Sequence, residues 1–401
     1  MGMLPVEDAL ARLLADAAPL PAETVDLMVA SGRILAALLK AKFTQPPFDA
    51  SAMDGYAVHA NDVAHLPAHL KIIGEAAAGR GFSGSLGRGE AVRIFTGAPV
   101  PASADTIVIQ ENCTREGNVV IVREGTPDGG NLRPRGGDFQ AGADLLKPGI
   151  RLGARQITLA AAMGHDVLQV HRKPIVAILA SGDELVLPGA TPAADQIVCS
   201  NPYGVAAMVA AAGGEARFLG IAGDTRASLN AHIDMAAGCD LLITIGGASV
   251  GDHDLIGPVL EARGLKLDFW KIAMRPGKPM LYGRLGAMHV LGLPGNPVSS
   301  LICARVFMMP LIERLTGREA SPTQFSSAVA AIDLEANGPR THYMRATLER
   351  GADGRLAARP VRSQDSSLLS PLAAADCLLV RPVGAPAVTA GEPIAVLPLD
   401  F

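Results

Sequence analysis

Apolar positions recur every three and four residues over 6–18 (VEDALARLLADAA) and again over 23–40 (ETVDLMVASGRILAALLK), a spacing that predicts two helices. After Lys42 the pattern changes. From 44 to 135 short alternating runs, among them AVRIFTGAPV, ADTIVIQENCT and GNVVIVREG, are separated by Gly and Pro and predict strands of a small β domain. RPRGGDFQAGADLLKPGIRL then leads into ARQITLAAAMG, where helical spacing returns. The simplest organisation is a helical linker domain split between 1–43 and 136–172, with a β-rich domain inserted at 44–135.

Over 173–318 strand and helix patterns alternate. PIVAILA, EARFLGIAG, CDLLITIGG and LKLDFWKIA read as apolar strands, and NPYGVAAMVAAAGG, TRASLNAHIDMAAG and DLIGPVLEARG as the helices between them. Such alternation predicts a doubly wound parallel sheet with helices on both faces. MLYGRLGAMHVLGL follows as a hairpin and VSSLICARVFMMPLIERLTG as one long closing helix. Beyond Gly317 the helical period is lost. Short strands in THYMRATLER, CLLVRP and EPIAVLPL predict a C-terminal β-barrel over 319–401, so the fold class is multidomain α/β.

Composition narrows the function classes. The chain has 401 residues, 49% of them hydrophobic but only 4% aromatic, with 44 Gly and 29 Pro, which favours several aliphatic cores joined by tight turns. A net charge of -4 leaves no electrostatic footprint for nucleic acid or anionic lipid. The most apolar stretch, VSSLICARVFMMPLIERL, carries Arg305 in its middle and does not read as a membrane span. MGMLPVEDALARLLADAAPL places acids early and does not read as a secretory signal, so the expectation is a cytoplasmic protein. Five separated cysteines without a C-x-x-C pair read as reduced thiols. His65 and His69 have helical spacing, but Pro67 between them argues against a metal-binding helix face. Gly79-Arg-Gly81-Phe-Ser-Gly84 spells G-x-G-x-x-G without the strand and helix that a dinucleotide site requires.

The acids that matter fall at strand ends, where open parallel sheets bind ligands. ILA runs into Ser181-Gly-Asp183-Glu184, FLGIAG into Asp224, and LLITIGG into Asp252 and Asp254. Each alone could cap the next helix, but three segments bringing carboxylates to one rim also assemble a Mg²⁺ site for a phosphate-bearing substrate. In TIGGASVGDHD, Gly246, Gly247 and Gly251 bare the backbone for a flat or anionic ligand, and Ser249 offers a hydroxyl. A second small-residue turn, Leu293-Pro294-Gly295-Asn296-Pro-Val-Ser299, precedes the closing helix and would favour an anion at Ser299; it also reads as a plain structured turn. WKIAMRPGKP sets Lys271, Arg275 and Lys278 at the end of the last parallel strand and the turn after it, where cations would meet a phosphate or oxyanion.

The order of Phe48-Asp-Ala-Ser-Ala-Met-Asp54-Gly-Tyr-Ala57, Ile94-Phe-Thr96-Gly-Ala-Pro-Val-Pro101, Arg135-Gly-Gly-Asp138, SGDE, GGASVGDHD, RPGKP and LPGNPVSS resembles the molybdopterin molybdenumtransferases, the MoeA family, related to the C-terminal half of gephyrin. The resemblance runs from about residue 5 to the C-terminus. It implies four domains, an elongated homodimer, and a site joining the α/β domain of one subunit to the β insertion of the other. The implied reaction transfers molybdenum from molybdate to adenylylated molybdopterin, with Mg²⁺-dependent cleavage of the pyrophosphate link and release of AMP. A molybdopterin adenylyltransferase and molybdoenzyme maturation proteins are the implied partners, with no nucleic acid and no membrane.

Carried over by residue, Glu184, Asp224 and Asp254 resemble the metal and pterin-phosphate acids, with Asp252 as an alternative ligand to Asp254, which matches by position. Asp54, Thr96 and Asp138 resemble the partner-subunit contribution. Gly246, Gly247, Ser249 and Gly251 would form the pterin cradle. Lys271, Arg275 and Lys278, with the Pro294-Gly295-Asn296 turn, Ser299, Arg345 and the Ser366-Ser367 pair, would surround phosphate and molybdate. Arg275 stands where many relatives carry lysine, which keeps the charge and changes the donor geometry. Such a reaction asks for positioning and electrostatics and needs no covalent nucleophile. Two rival readings keep the same residues: adenylylation of molybdopterin from ATP, and a non-catalytic molybdopterin-binding scaffold.

Overall fold

The computed structural model describes residues 3–126, 129–247, 255–318, 325–351 and 354–399. Helix α1 (Val6–Ala15) forms where the apolar spacing places it, with Glu7 and Asp8 in its first turn and Val6, Ala9 and Leu13 buried. The second expected helix, 23–40, does not form. Ala22–Asp26, with β-branched Thr24 and Val25, instead pairs antiparallel with a strand over Val167–His171 that the sequence pattern did not reveal. Asp26 then caps a single 3-10 turn at Leu27–Val29 by accepting from Met28 N, and Gly32 turns the chain with φ +77. The apolar positions that mimic a helical period fill a small core, Ala30, Leu35 and Leu39 packing with Leu152, Met163, Leu168 and Val170. Helix α2 (Ala154–Ala162) is the helix expected at ARQITLAAAMG.

The insertion folds as a mixed six-stranded sheet ordered Thr106–Ile109, Gly55–Val58, Glu90–Ile94, Ala68–Ala76, Val119–Val122 and Cys113–Glu116. Its only parallel pair joins Ala68–Ala76 to Glu90–Ile94, and the discarded glycine motif lies in the connection between them.

The α/β unit carries helices α3 (Asn201–Ala211), α4 (Arg226–Asp234) and α5 (Ile256–Ala262), followed by α6 (Pro297–Cys303) and α7 (Met309–Leu315). Its sheet runs Glu215–Ala222, Ile175–Ser181, Leu241–Ile245, Met288–Leu293, Leu281–Leu285, Lys266–Trp270. The first four strands are parallel. Lys266–Trp270 corrects the expectation of a last parallel strand: it pairs antiparallel with Leu281–Leu285, so the fourth parallel strand is the second arm of the hairpin. Two reversals nevertheless return Lys266–Trp270 to the common direction, and its carboxyl end still reaches the rim where the parallel strands finish. Alternate side chains of Ile175–Ser181 enter the two cores: Val176 and Ile178 meet α1, α3, α6 and α7, while Ala177 and Leu179 meet α4 and α5. Leu13 and Phe307 are fully buried in the first of these, a contribution of about 1.5–3 kcal/mol each. The long closing helix is interrupted by a π-turn at Ala304–Met308 before Pro310, whose ring would clash with the carbonyl four residues back in a regular helix.

At the C-terminus five strands close a barrel: Thr341–Arg350, Leu356–Pro360, Ser326–Ala330, Pro393–Pro398, Cys377–Arg381, and back to Thr341–Arg350. Ser326–Ala330 and Leu356–Pro360 were not expected from the pattern. Met274–Arg275 pairs with the start of the first strand, Arg275 opposite His342, and this pins the RPGKP turn against the barrel. Among the described residues no helix is long and apolar enough to cross a membrane.

One buried polar network ties α1 to the sheet. The Tyr282 hydroxyl donates to Asp16 at 2.7 Å and lies 2.8 Å from His289 Nδ1, while Arg284 meets His289 Nε2. Because Tyr282 spends its proton on Asp16, it accepts from Nδ1–H, and Nε2 is left to accept from Arg284, which fixes a neutral imidazole. Burial and Arg284 lower the His289 pKa from 6.5 to about 4. An unfolded chain therefore binds a proton that the folded one refuses, so stability is lost as pH falls from 6.5 toward 4, by up to about 3 kcal/mol from this group. Thermal midpoints measured across that window are expected to fall more steeply for the wild type than for His289→Gln; parallel curves would contradict the assignment.

Candidate active site

Beyond the carboxyl ends of the parallel strands opens a cavity of about 1100 Å³. Every strand of the parallel set delivers residues to it: Ser181, Gly182 and Glu184 after the first, Asp224 after the second, Gly246 and Gly247 after the third, and Pro294, Gly295, Asn296 and Ser299 after the fourth. The RPGKP turn adds Arg275 and Lys278, and a barrel loop adds Ser366 and Ser367.

The acidic side is arranged by backbone geometry. Gly182 has φ +146, and a Cβ there would lie 2.3 Å from Glu184 Oε2, so only glycine lets the carboxylate fold back over the turn. Asp224 N donates to Asp183 Oδ1 at 3.0 Å, while Asp183 N lies 3.4 Å from Asp224 Oδ2. Asp183 is thereby engaged in holding two strand ends together and does not line the cavity, whereas Glu184 and Asp224 do. Among the described residues no cluster of three or more His, Cys, Asp or Glu forms a metal cage. Two carboxylates still fit Mg²⁺, which takes one or two protein carboxylates and fills its octahedron with water and substrate phosphate. Ser249, Gly251, Asp252 and Asp254, expected to complete the cradle and the acidic set, lie outside the described residues.

Gly246 is required by its surroundings. It has φ +93, and a Cβ would lie 2.9 Å from the Ser181 carbonyl oxygen, so the floor of the slot is bare backbone. The opposite wall is a docked pair of loops. Asn296 Nδ2 donates to Ser366 Oγ at 3.0 Å, Val298 N donates to the Ser366 carbonyl at 3.1 Å, and Asn201 Nδ2 holds the Gly295 carbonyl at 2.7 Å.

Two expected contacts are corrected. Arg345 does not line the cavity; it is 1% exposed, and its guanidinium donates to the carbonyls of Leu368, Ser363 and Asp365 at 2.8, 2.9 and 2.9 Å. Its side chain shapes the Ser366 loop from behind. Lys271 also stays off the cavity. It adopts φ +84 and works through its backbone, donating to Met280 O and accepting from Leu4 N. Asp54, Thr96 and Asp138 lie in the N-terminal part of the chain, and none lines this cavity. Thr96 donates through both N and Oγ1 to Asp54 Oδ1 at 2.8 Å, and these bonds hold the carboxyl below its usual range. Asp138 is exposed and donates its N–H to Gln45 O.

Arg340, Asn201 and Cys199 line the cavity without having been singled out in the sequence. Arg340 joins the cationic side: burial first, then Arg275 and Arg340, lower the His342 pKa to about 4, which keeps that ring neutral between them. Its only sequence signal is a basic residue directly before a strand. Burial raises the Cys199 thiol and the nearby Glu184 raises it further, so Cys199 stays protonated and is no nucleophile here.

Three family models match the chain in sequence: "MoeA N-terminal region (domain I and II)" over residues 4–164, "Probable molybdopterin binding domain" over 177–314, and "MoeA C-terminal region (domain IV)" over 327–399. Among curated proteins, the molybdopterin molybdenumtransferase of a Nostoc species is 36% identical, covering 94% of this chain and 89% of its own. That of Haemophilus influenzae is 33% identical over 99% of both chains. Among solved structures, a molybdopterin biosynthesis MoeA protein from Pyrococcus horikoshii superposes with a TM-score of 0.86 at 31% identity, covering all of both chains.

Proposed function

Because the chain belongs to the MoeA family, we propose that it is a molybdopterin molybdenumtransferase that inserts molybdenum from molybdate into adenylylated molybdopterin and releases AMP. The observation that carries this reading is one cavity lined by Glu184 and Asp224 as well as by Arg275, Lys278 and Arg340, with bare backbone at Gly246 and Gly247. A pterin is flat and needs such a slot. Molybdate is a tetrahedral dianion, and the adenylylated substrate adds a phosphoanhydride; both call for guanidinium, ammonium and hydroxyl donors, which Arg275, Lys278, Arg340, Ser299, Ser366 and Ser367 provide.

Glu184 and Asp224 would hold Mg²⁺, which when bound neutralises the phosphoanhydride so that water can cleave it. The chain's own part is to orient. The Ser366–Asn296 clasp fixes the hydroxyl-bearing wall, and the cations hold the oxyanion while the protein supplies no covalent nucleophile.

A second copy of the chain would complete the site with Asp54, Thr96 and Asp138, which one chain leaves away from the cavity. Met28, Val29, Phe43, Phe48 and Met53 are exposed on the N-terminal part, apolar surface that a homodimer would cover. Five free thiols fit a reducing compartment, the cytoplasm.

Incubating the purified protein with adenylylated molybdopterin, Mg²⁺ and molybdate should yield AMP and molybdenum cofactor together. Binding without AMP release would leave only a scaffold, and ATP-dependent adenylylation of molybdopterin would move the step to the adenylyltransferase reaction.

A further inference from the structure

Asp54 and Thr96 meet at one end of the inserted sheet, where Gly55 pairs with Ile94 across two antiparallel strands. Arg93, on the strand Glu90–Ile94, stands directly across from Tyr56. Side chains alternate along a strand, so Val92 and Ile94 enter one core while Arg93 and, just past the strand, Phe95 share the other face. The Arg93 guanidinium carbon sits 5.1 Å from the centroid of the Tyr56 ring and 4.7 Å from that of Phe95, and both rings turn their faces to the cation.

The same guanidinium grips the turn that carries Asp54. Nη1 donates to the Gly55 carbonyl at 3.0 Å and Nη2 to Gln110 Oε1 at 2.6 Å, while Gln110 N donates to the Asp54 carbonyl at 3.0 Å. Two successive carbonyls are thereby held. Gly55 admits no larger residue, since a Cβ would lie 2.0 Å from the Val108 carbonyl oxygen. On the carboxylate itself, Thr96 directs both its donors to Oδ1, and among the described residues nothing donates to Oδ2. Glu75, the other cross-strand neighbour of Arg93, pairs with Arg80, and no carboxylate among the described residues lies within ion-pair distance of Arg93. A half-buried cation held by two oxygen acceptors and two ring faces is more tightly restrained than solubility requires. Its charge also acts on Asp54: the Thr96 bonds lower the carboxyl first, burial opposes them, and Arg93 lowers it further.

We propose that Arg93 is a positioning residue for the reaction: it fixes Asp54 and Thr96 as one unit, so that Asp54 Oδ2 is presented in a single orientation to the cavity of a second copy. This rests on the reading above of a site shared by two copies. A carboxylate repels a phosphoanhydride and molybdate, so the unit contributes to the chemical step and not to the capture of these anions. Loosening it therefore shows in kcat.

Arg93→Met keeps an apolar stem against both rings and removes the charge and both donors. Amide exchange in the full chain should accelerate at 54–56 and 95–97 and keep the wild-type rate in Val119–Val122. For AMP release, kcat should fall roughly ten- to a hundred-fold with KM within about two-fold of the wild type. Arg93→Lys, which restores the charge but not the two-armed grip, should recover part of kcat. Arg115→Ala, which removes an exposed cation on the edge strand of the same sheet, should match the wild type in both measurements. Mixing separates action on the neighbour's cavity from support of the chain's own fold. Co-expressed with Glu184→Gln chains, Arg93→Met chains should form mixed dimers with one whole site of two, and random pairing should return about a quarter of wild-type AMP release. Wild-type exchange at 54–56 and 95–97, an unchanged kcat in Arg93→Met, or mixed dimers no more active than either parent would overturn the role of Arg93. A wild type that releases no AMP would instead overturn the functional reading, and exchange in Arg93→Met would still decide whether Arg93 holds the unit.

Discussion

Glu184→Gln is expected to cut AMP release from adenylylated molybdopterin by roughly a hundred-fold or more while leaving the thermal midpoint unchanged, and Asp224→Asn should do the same. Both replacements are nearly isosteric, so what they remove is charge. Among the described residues nothing donates to the Glu184 carboxylate, and the sole backbone contact to Asp224 is the long one from Asp183 N, at 3.4 Å, which an asparagine oxygen keeps. Stability thus has little to lose at either position. The electrostatics have more, since Glu184 and Asp224 are the described strand-end carboxylates that would hold Mg²⁺, while Asp365 on the barrel loop is engaged by Ser367. Raising the Mg²⁺ concentration should recover part of the activity of each single variant and little in the double variant. Near-wild-type AMP release from both single variants would take the two acids out of the reaction.

The acids were legible in the sequence because strand ends are a local signal: an apolar run, then small residues, then a carboxylate. Glu184 and Asp224 sit where that rule places them, on one cavity, and the small-residue turns at Gly246 and Asn296 line it with them. The 23–40 segment misled because Ala30, Leu35 and Leu39 reach a common core from a strand, a 3-10 turn and a glycine bend, and this reproduces a helical spacing without a helix. Lys266–Trp270 was read correctly as a strand but not as the antiparallel partner of Leu281–Leu285, since pairing is decided by which strand arrives beside it. For cations the sequence is weakest. Arg340 and Arg345 stand five residues apart, yet Arg340 lines the cavity and Arg345 is sealed behind it. Residue type gives the charge, and only the packed barrel decides which way it faces.

That sealed arginine gives the second large effect. Arg345→Met is expected to lower stability by roughly 3–5 kcal/mol, because a buried guanidinium with three carbonyl acceptors is replaced by a side chain that satisfies none of them. Desolvation lowers the Arg345 pKa, with Asp365 opposing, yet an arginine remains charged at any working pH. Arg345→Lys should recover only part of the loss, since one ammonium cannot reach carbonyls that Nη1 and Nη2 address separately. Gln364 bonds the Arg345 backbone from both its amide atoms, at 3.0 Å each, so the strand itself should persist while the loop beyond loosens. Loosening matters because Ser366 is the acceptor for Asn296 Nδ2 and Val298 N. Amide hydrogen exchange in Arg345→Met should therefore accelerate at 363–368 and stay slow in Ile175–Ser181, with KM for the adenylylated substrate raised more than kcat is lowered. Lost turnover with a tightly protected loop and an unchanged midpoint would mean instead that Arg345 touches the substrate directly, and that the carbonyls it holds are incidental to its role.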